Sequence, residues 1–254
     1  MTSLYEKQIK LIALDMDGTL LNRDHTVSEA NRVAIQAAMD KDIHVVLSTG
    51  RSLATCREHA DSLNLTSYLV TVNGGEIWDK EKKLVERNSL KHEDIQLMWN
   101  LRNEYQTDFW AISTDKVWYE EFPEDIYAHE WLKFGFDISD GVVLKTVRAI
   151  LAENDALEIS NSNPSNLEVN AAGINKANGL KKVCSLLGIT MDNVIAMGDS
   201  LNDYTMIREA GIGVAMGNAQ EKVKKVADWV TATNDDDGVA VAIRKWVLKD
   251  DNDR

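Results

Sequence analysis

Residues 10–21 read KLIALDMDGTLL, a short apolar run that ends abruptly in Asp15, Asp17, Gly18 and Thr19. Such a run reads as a buried strand, and its polar end as a strand tip that carries chemistry. In an extended chain residues i and i+2 project to the same side, so Asp15 and Asp17 can share one ligand or one reacting atom. That geometry suits a nucleophile beside a proton-transfer partner. Gly18 lets the chain turn sharply after them, and open α/β sheets gather their ligands at the carboxyl ends of strands. Taken alone, the pair also fits two solvated loop acids. It does not fit a calcium loop, which wants Asp or Asn at position 19, Gly at 20 and Glu at 26, where this chain has Thr19, Leu20 and Thr26.

The residues that follow repeat the pattern. Thr26 to Glu29 has capping-box spacing, and Val33, Ala34, Ala37 and Ala38 continue at helical intervals. Ile43 to Leu47 reads as a second strand ending in Ser48, Thr49, Gly50 and Arg51. Residues 52–63 read as a helix, and 68–72 as a third strand ending at Asn73, Gly74 and Gly75. Successive strand-then-helix units argue for a parallel, doubly wound sheet. His44, set inside an apolar strand, reads as a structural histidine rather than a catalytic one.

From Ile77 to Asn166 the character changes. A charged hairpin through 77–85 precedes an amphipathic helix over 91–105, paired strands at 109–112 and 117–120, and a helix over 123–134. A helix over 143–153 and strands at 156–160 and 167–170 close the segment. Five of the seven tryptophans, Trp78, Trp99, Trp110, Trp118 and Trp131, lie in or at the edge of it. A small second core that needs large side chains accounts for them, and so does an aromatic wall over a substrate pocket. Both readings can hold for different residues.

Alternation resumes at Gly173, with a helix over 177–187 and a strand over 193–197 that ends in Gly198, Asp199, Ser200, Leu201, Asn202 and Asp203. Shorter helices and strands lead to a terminal helix over 238–249. Gly211, Gly213 and Gly217 are spaced one residue too long for a dinucleotide loop, and no phosphate-binding G-x-x-x-x-G-K occurs.

Composition narrows the function classes. With 254 residues, 44% hydrophobic and 27% charged, the chain has room for one large or two modest cores. A net charge of −13 repels nucleic acid and anionic membranes. Residues 1–10 lack the apolar stretch of a signal peptide and no run approaches a membrane span, so the expected location is cytoplasmic. Cys56 and Cys184 form no C-x-x-C pair and read as buried free thiols. The same negative charge repels phosphate, so a phosphate site here needs its own local cation.

If the first, second and later strands are parallel neighbours, one edge collects Asp15, Asp17, Thr49, Lys176, Asp199, Asn202 and Asp203. Four acids together repel unless a cation joins them, and hard carboxylate oxygens suit Mg²⁺. That cation, with Lys176 and Thr49, can neutralise and orient a phosphoryl group. Lys176 taken alone reads as a solvated lysine at a helix start, and its value to the site comes from following a Gly-rich turn just before the Asp199 strand.

Asp15-x-Asp17-Gly18-Thr19-Leu20, the Thr49-Gly50-Arg51 tip, Lys176 and the Gly198 to Asp203 stretch resemble, in order, the four motifs of the haloacid dehalogenase superfamily. Asn73-Gly74 and the run Gly213 to Ala219, followed by Val223-Lys224, Ala227-Asp228 and Asp237-Gly238-Val239-Ala240, resemble its Cof-type phosphatases. The middle segment matches in position and αβ character more than in sequence.

The resemblance implies an α/β fold, a Rossmann-like doubly wound parallel sheet core over 1–80 and 171–254, interrupted by a C2-type αβ cap domain over 81–170. It implies a Mg²⁺-dependent phosphatase of small phosphomonoesters, sugar phosphates being the expected class. In that reading Asp15 is the nucleophile that forms an aspartyl-phosphate, and Asp17 the acid that protonates the leaving oxygen and later activates water. Asp15, the backbone carbonyl of Asp17 and Asp199 would hold Mg²⁺, with Asp203 in support. Thr49, the amides of Met16 and Gly50, Lys176 and Asn202 would bind phosphoryl oxygens.

The family usually places Lys-Gly where this chain has Lys176-Ala177, and its cap is usually longer. Asp17 argues against an ion-pumping ATPase and against a dehalogenase. A phosphomutase of the same superfamily and a non-catalytic phosphometabolite-binding protein are the alternatives, marked by a bisphosphate requirement and by binding without turnover. The expected partner is a small phosphorylated metabolite, with no nucleic acid or membrane, on a monomer or small homo-oligomer.

Overall fold

A computed structural model describes residues 7–249. The chain opens with β1 (Leu11–Leu14), α1 (Glu29–Met39), β2 (His44–Ser48), α2 (Leu53–Ser62) and β3 (Leu69–Thr71), then the hairpin β4 (Glu76–Trp78) and β5 (Leu84–Arg87). The middle holds α3 (His92–Tyr105), β6 (Asp108–Ser113), β7 (Val117–Trp118), β8 (Trp131–Asp137), α4 (Gly141–Leu151), β9 (Leu157–Ser160) and β10 (Asn166–Ala171). The last part holds α5 (Lys176–Leu187), β11 (Val194–Gly198), α6 (Tyr204–Glu209), β12 (Ile212–Ala215), α7 (Glu221–Lys224), β13 (Trp229–Val230) and α8 (Gly238–Ile243). Residues 244–248 continue α8 with the wider π winding.

These elements make two sheets. The large one has the order β13-β12-β11-β1-β2-β3-β4-β5, parallel from β13 to β3 and antiparallel across β4 and β5. From β1 the chain winds outward to β2 and β3, and later returns to the other side of β1 as β11. The order therefore reverses at β1, the point where doubly wound sheets open a crevice. Every residue of β1 and β11 is buried, as expected of strands covered on both faces. The helix α1 buries Asn31, Ala34, Ile35 and Ala38, a stripe at helical spacing, and packs on α8. Buried Asn31 accepts the Ala240 amide at 2.9 Å, which ties the two helices together.

The second sheet has the order β7-β6-β8-β10-β9. Phe109, Phe134, Phe136, Leu167 and Val169 build its core under α3 and α4. The alternate residues Trp110, Lys133, Gly135 and Glu168 project to the opposite face. Of the insert as read from sequence, β5 hydrogen bonds into the large sheet, so the change of sheet falls after Arg87 rather than at residue 80.

Two local expectations are corrected. Residues 123–134 are not a helix but a short 3-10 turn, Ile126–Ala128, running into β8. In the pairing with β6, Ile112 faces Lys133 while Ser113 faces Trp131, so Leu132 is an extra, bulged residue. The bulge puts both Trp131 and Phe134 into one core at a spacing of three, which in sequence mimics a helical face. The capping residue of α1 is Ser28, whose hydroxyl accepts the Asn31 amide at 3.2 Å. Thr26 instead closes a turn, its amide and hydroxyl both bonded to the Asn22 side chain.

Both free cysteines are buried, and burial pushes the Cys56 thiol up to about 12 and the Cys184 thiol up to about 11, which leaves them unreactive near neutral pH. Among the described residues no helix is long and apolar enough to cross a membrane.

Candidate active site

The tips of β2, β1 and β11 emerge side by side, because Leu14 stands opposite Leu47 on one side and Met197 on the other. Asp15, Thr49 and Asp199 follow directly. Asp15 is only 5% exposed. Gly18 has φ +81°, and a Cβ on it would lie 2.7 Å from an Asp199 carboxylate oxygen, so the turn after β1 closes over Asp199 only with glycine there. The hydroxyls of Thr19 and Ser200 donate to Asp199 at 3.2 and 2.8 Å. Asp203 accepts the amides of Asp199 and Ser200 at 3.0 Å each, which fixes the loop after β11.

Lys176, at the first turn of α5, has no exposed surface. Its ammonium donates to Asp15 Oδ1 at 2.5 Å and to Asp203 Oδ1 at 2.7 Å. Burial works against its charge, yet the two carboxylates hold its proton well above the ordinary lysine range. Ala177, which stands where the resemblance leads one to expect glycine, is itself buried and leaves Lys176 in place. Carboxylate oxygens of Asp15, Asp199 and Asp203 lie within 4.8 Å of one another. Burial, and next to it Asp203, pushes the Asp15 carboxyl well above the usual range and the Asp199 carboxyl up to about 7. One lysine does not balance three acids, and a hard divalent cation fits this donor set.

Asp17 leaves that cluster. Its carboxylate takes a two-pronged pair from Arg51, at 2.8 and 2.5 Å, and its side chain is 48% exposed. Thr49 is buried, and its hydroxyl accepts the Arg51 amide at 3.1 Å. Asp15, Asp17, Gly50 and Asn202 line one cavity of about 420 Å³, shared with residues of the second sheet. Met16, the other expected phosphate ligand, has a buried side chain, so only its main chain is available to a ligand.

Sequence reasoning did not assign three further residues here. Lys133 and Glu168, on neighbouring strands of the second sheet, pair at 3.1 Å with almost no exposed surface. Glu168 also accepts from Asn73 at 2.5 Å, and Asn73 donates its amide to the Thr49 carbonyl at 2.9 Å. The second sheet is thereby bonded to the Thr49 loop. The signal for Lys133 was masked by the bulge at Leu132.

The chain that builds this arrangement, a buried Asp-Lys-Asp line with a third carboxylate, Asp199, close by at a switch point, is similar to known proteins. A family model described as haloacid dehalogenase-like hydrolase matches residues 12–140 and 123–243. The chain belongs to that family. It is 61% identical over 240 residues to the 5-amino-6-(5-phospho-D-ribitylamino)uracil phosphatase YcsE of Bacillus subtilis (strain 168), covering 94% of this chain and 96% of the relative. The phosphatase YitU of the same organism, carrying the same substrate name, is 30% identical over 269 residues, with 93% and 97% covered. A solved haloacid dehalogenase-like hydrolase from B. subtilis superposes with a TM-score of 0.87 at 25% identity, over 93% of this chain and 99% of that one. The protein is a haloacid dehalogenase-like phosphatase of Cof type, a phosphoric monoester hydrolase.

Proposed function

We propose that this phosphatase hydrolyses a small phosphomonoester through an aspartyl-phosphate on Asp15, with Mg²⁺ as its metal, and that the ester is a phosphorylated sugar or ribityl chain. The observation that carries the reading is Asp15 itself, a buried carboxylate bonded to Lys176 and opening into the cavity. The name of the relative at 61% identity supports phosphoribitylaminouracil as the substrate.

In the first step an Asp15 oxygen attacks phosphorus and the ester P–O bond breaks, while Asp17, protonated and released from its pair with Arg51, delivers a proton to the leaving oxygen. In the second, Asp17 takes a proton from water, the resulting hydroxide attacks phosphorus, and the bond to Asp15 breaks to release phosphate. Asp15 and Asp199, supported by Asp203 and by the main-chain carbonyl of Asp17, would hold the metal, which when bound offsets charge on the phosphoryl oxygens. Lys176 supplies a fixed positive charge beside the nucleophile. Thr49, Asn202 and the amides of Met16 and Gly50 orient the phosphoryl group. The αβ segment between β5 and α5 acts as a cap domain that shields the site from water.

The test is phosphate release from phosphoribitylaminouracil and a panel of sugar phosphates, with Mg²⁺ and with chelator. Wild type is expected to turn over only with metal. Asp15→Ala is expected to abolish turnover, and Asp17→Ala to lower it by roughly 10²-fold to 10⁴-fold. Near wild-type turnover by Asp15→Ala overturns the mechanism.

A further inference from the structure

Trp110 stands apart from the other tryptophans of its region. Trp99, Trp118 and Trp131 belong to the apolar core of the second sheet and Trp78 packs on that of the large sheet, whereas half-buried Trp110 lies outside these clusters and lines the cavity of Asp15. Strand alternation is the reason. Phe109 and Ala111 face the core, which turns Trp110 to the opposite face.

Directly across from Trp110, in β8, stands Gly135. A Cβ on Gly135 would fall 2.1, 2.3 and 2.5 Å from Cε2, Cζ2 and Cδ2 of the indole. Three adjacent ring atoms at nearly equal distances place the glycine over the face of the ring rather than at its edge. The indole therefore lies flat against the sheet, and any side chain at 135 would lift it off. One face is spent on Gly135 and the other is left for the cavity.

The rest of that wall suits the same kind of ligand. Ile112 and Val117 from the second sheet and Tyr119 just after β7 add apolar surface, and the Lys133–Glu168 pair adds polar groups to the same cavity. Its volume of about 420 Å³ falls in the range that holds whole small molecules, whereas a phosphoryl group alone needs far less.

We propose that Trp110, backed by Gly135, is a specificity-determining residue that stacks a flat aromatic or heteroaromatic ring of the leaving group while the phosphoryl group meets Asp15. This rests on the phosphatase reading above and adds the feature by which the site tells a ring-bearing ester from a plain sugar phosphate.

The test uses a matched pair, phosphoribitylaminouracil and ribitol phosphate, which share the phosphorylated chain and differ in the ring. With Mg²⁺ present, Trp110→Ala is expected to raise KM for the ring-bearing ester roughly tenfold or more with little change in kcat. Turnover of ribitol phosphate is expected to stay unchanged, which also shows that the variant is folded. Trp110→Phe, which keeps an aromatic face, is expected to recover most of the loss. Equal losses on both esters, or an unchanged KM for the ring-bearing one, overturn the proposal.

Calorimetric binding of the dephosphorylated, ring-bearing alcohol gives a readout without turnover, expected to weaken roughly tenfold in Trp110→Ala. Equal binding by wild type and variant overturns the stacking role. Absence of phosphate release from wild type, with ring-dependent binding retained, overturns the phosphatase reading and leaves the ring platform standing.

Discussion

Glu168 sits where the two sheets meet, and its charge is kept by its neighbours. Burial pushes its carboxyl up, but Lys133 and the hydrogen bonds from Asn73 and Ser162 outweigh that and hold it below the usual glutamate value. A carboxyl whose folded value is depressed adds stability above its unfolded value of about 4.3, and that stability is lost as pH falls through the folded value. Urea unfolding of wild type and Glu168→Gln at a series of pH values checks this. The advantage of wild type is expected to be constant near neutrality and to shrink below about pH 4. A difference that does not move with pH would show that the pair is held by shape alone. Neither Glu168 nor Lys133 was legible as a site residue in sequence, because Glu168 sits in an ordinary alternating strand, Lys133 follows the bulged Leu132 in β8, and their meeting depends on register. Asp15, Asp199 and Asp203 were legible, since the ends of apolar runs mark strand tips. Lys176 lies between: its position before a helix was readable, but its complete burial follows only from where α5 is docked.

At the scale of elements, that docking depends on two glycines. A Cβ on Gly179, inside α5, would lie 2.6 Å from Val70 Cγ1, and one on Gly74 would lie 2.6 Å from the Asn175 carbonyl oxygen. The start of α5 can approach β3 and the loop after it only with both side chains absent, and this approach carries Lys176 to Asp15. Gly179→Ala is therefore expected to cost about 1–3 kcal/mol of stability, as overpacking does, despite its better helix propensity. It is also expected to lower kcat by withdrawing Lys176. A stabilised variant with unchanged kcat would mean that α5 has slack against the sheet. The helices and strands flanking the insert were legible because each obeys one period throughout. The strand β8 was not, since the bulged Leu132 breaks its alternation and leaves an apolar spacing that belongs to helices.

For the molecule as a whole, a chain of net charge −13 concentrates three of its carboxylates in one buried cluster, and the cost of that choice tells what the cluster is for. Burial and Asp203 push Asp199 up to about 7, so in the absence of a cation its charge opposes folding. Neutralising it should then relieve the metal-free protein, while a bound cation should reverse the balance, since binding to the native state alone adds RT ln(1 + [L]/Kd), about 2.7 kcal/mol at a hundredfold excess over Kd. Two opposite signs follow. In chelator, Asp199→Asn is expected to melt at or above the wild-type Tm. In Mg²⁺, wild type is expected to gain several degrees, at about 2–4 °C per kcal/mol for a chain near this size, and the variant almost none. Thermal melts of both proteins in both conditions decide it. If Asp199→Asn melts lower in chelator and still rises with Mg²⁺ as wild type does, then Asp199 serves the loop through Thr19 and Ser200, and the cation is held elsewhere. If the signs fall as expected, the repulsion in the metal-free cluster and the affinity for the ion are one property, read with and without the charge that resolves it.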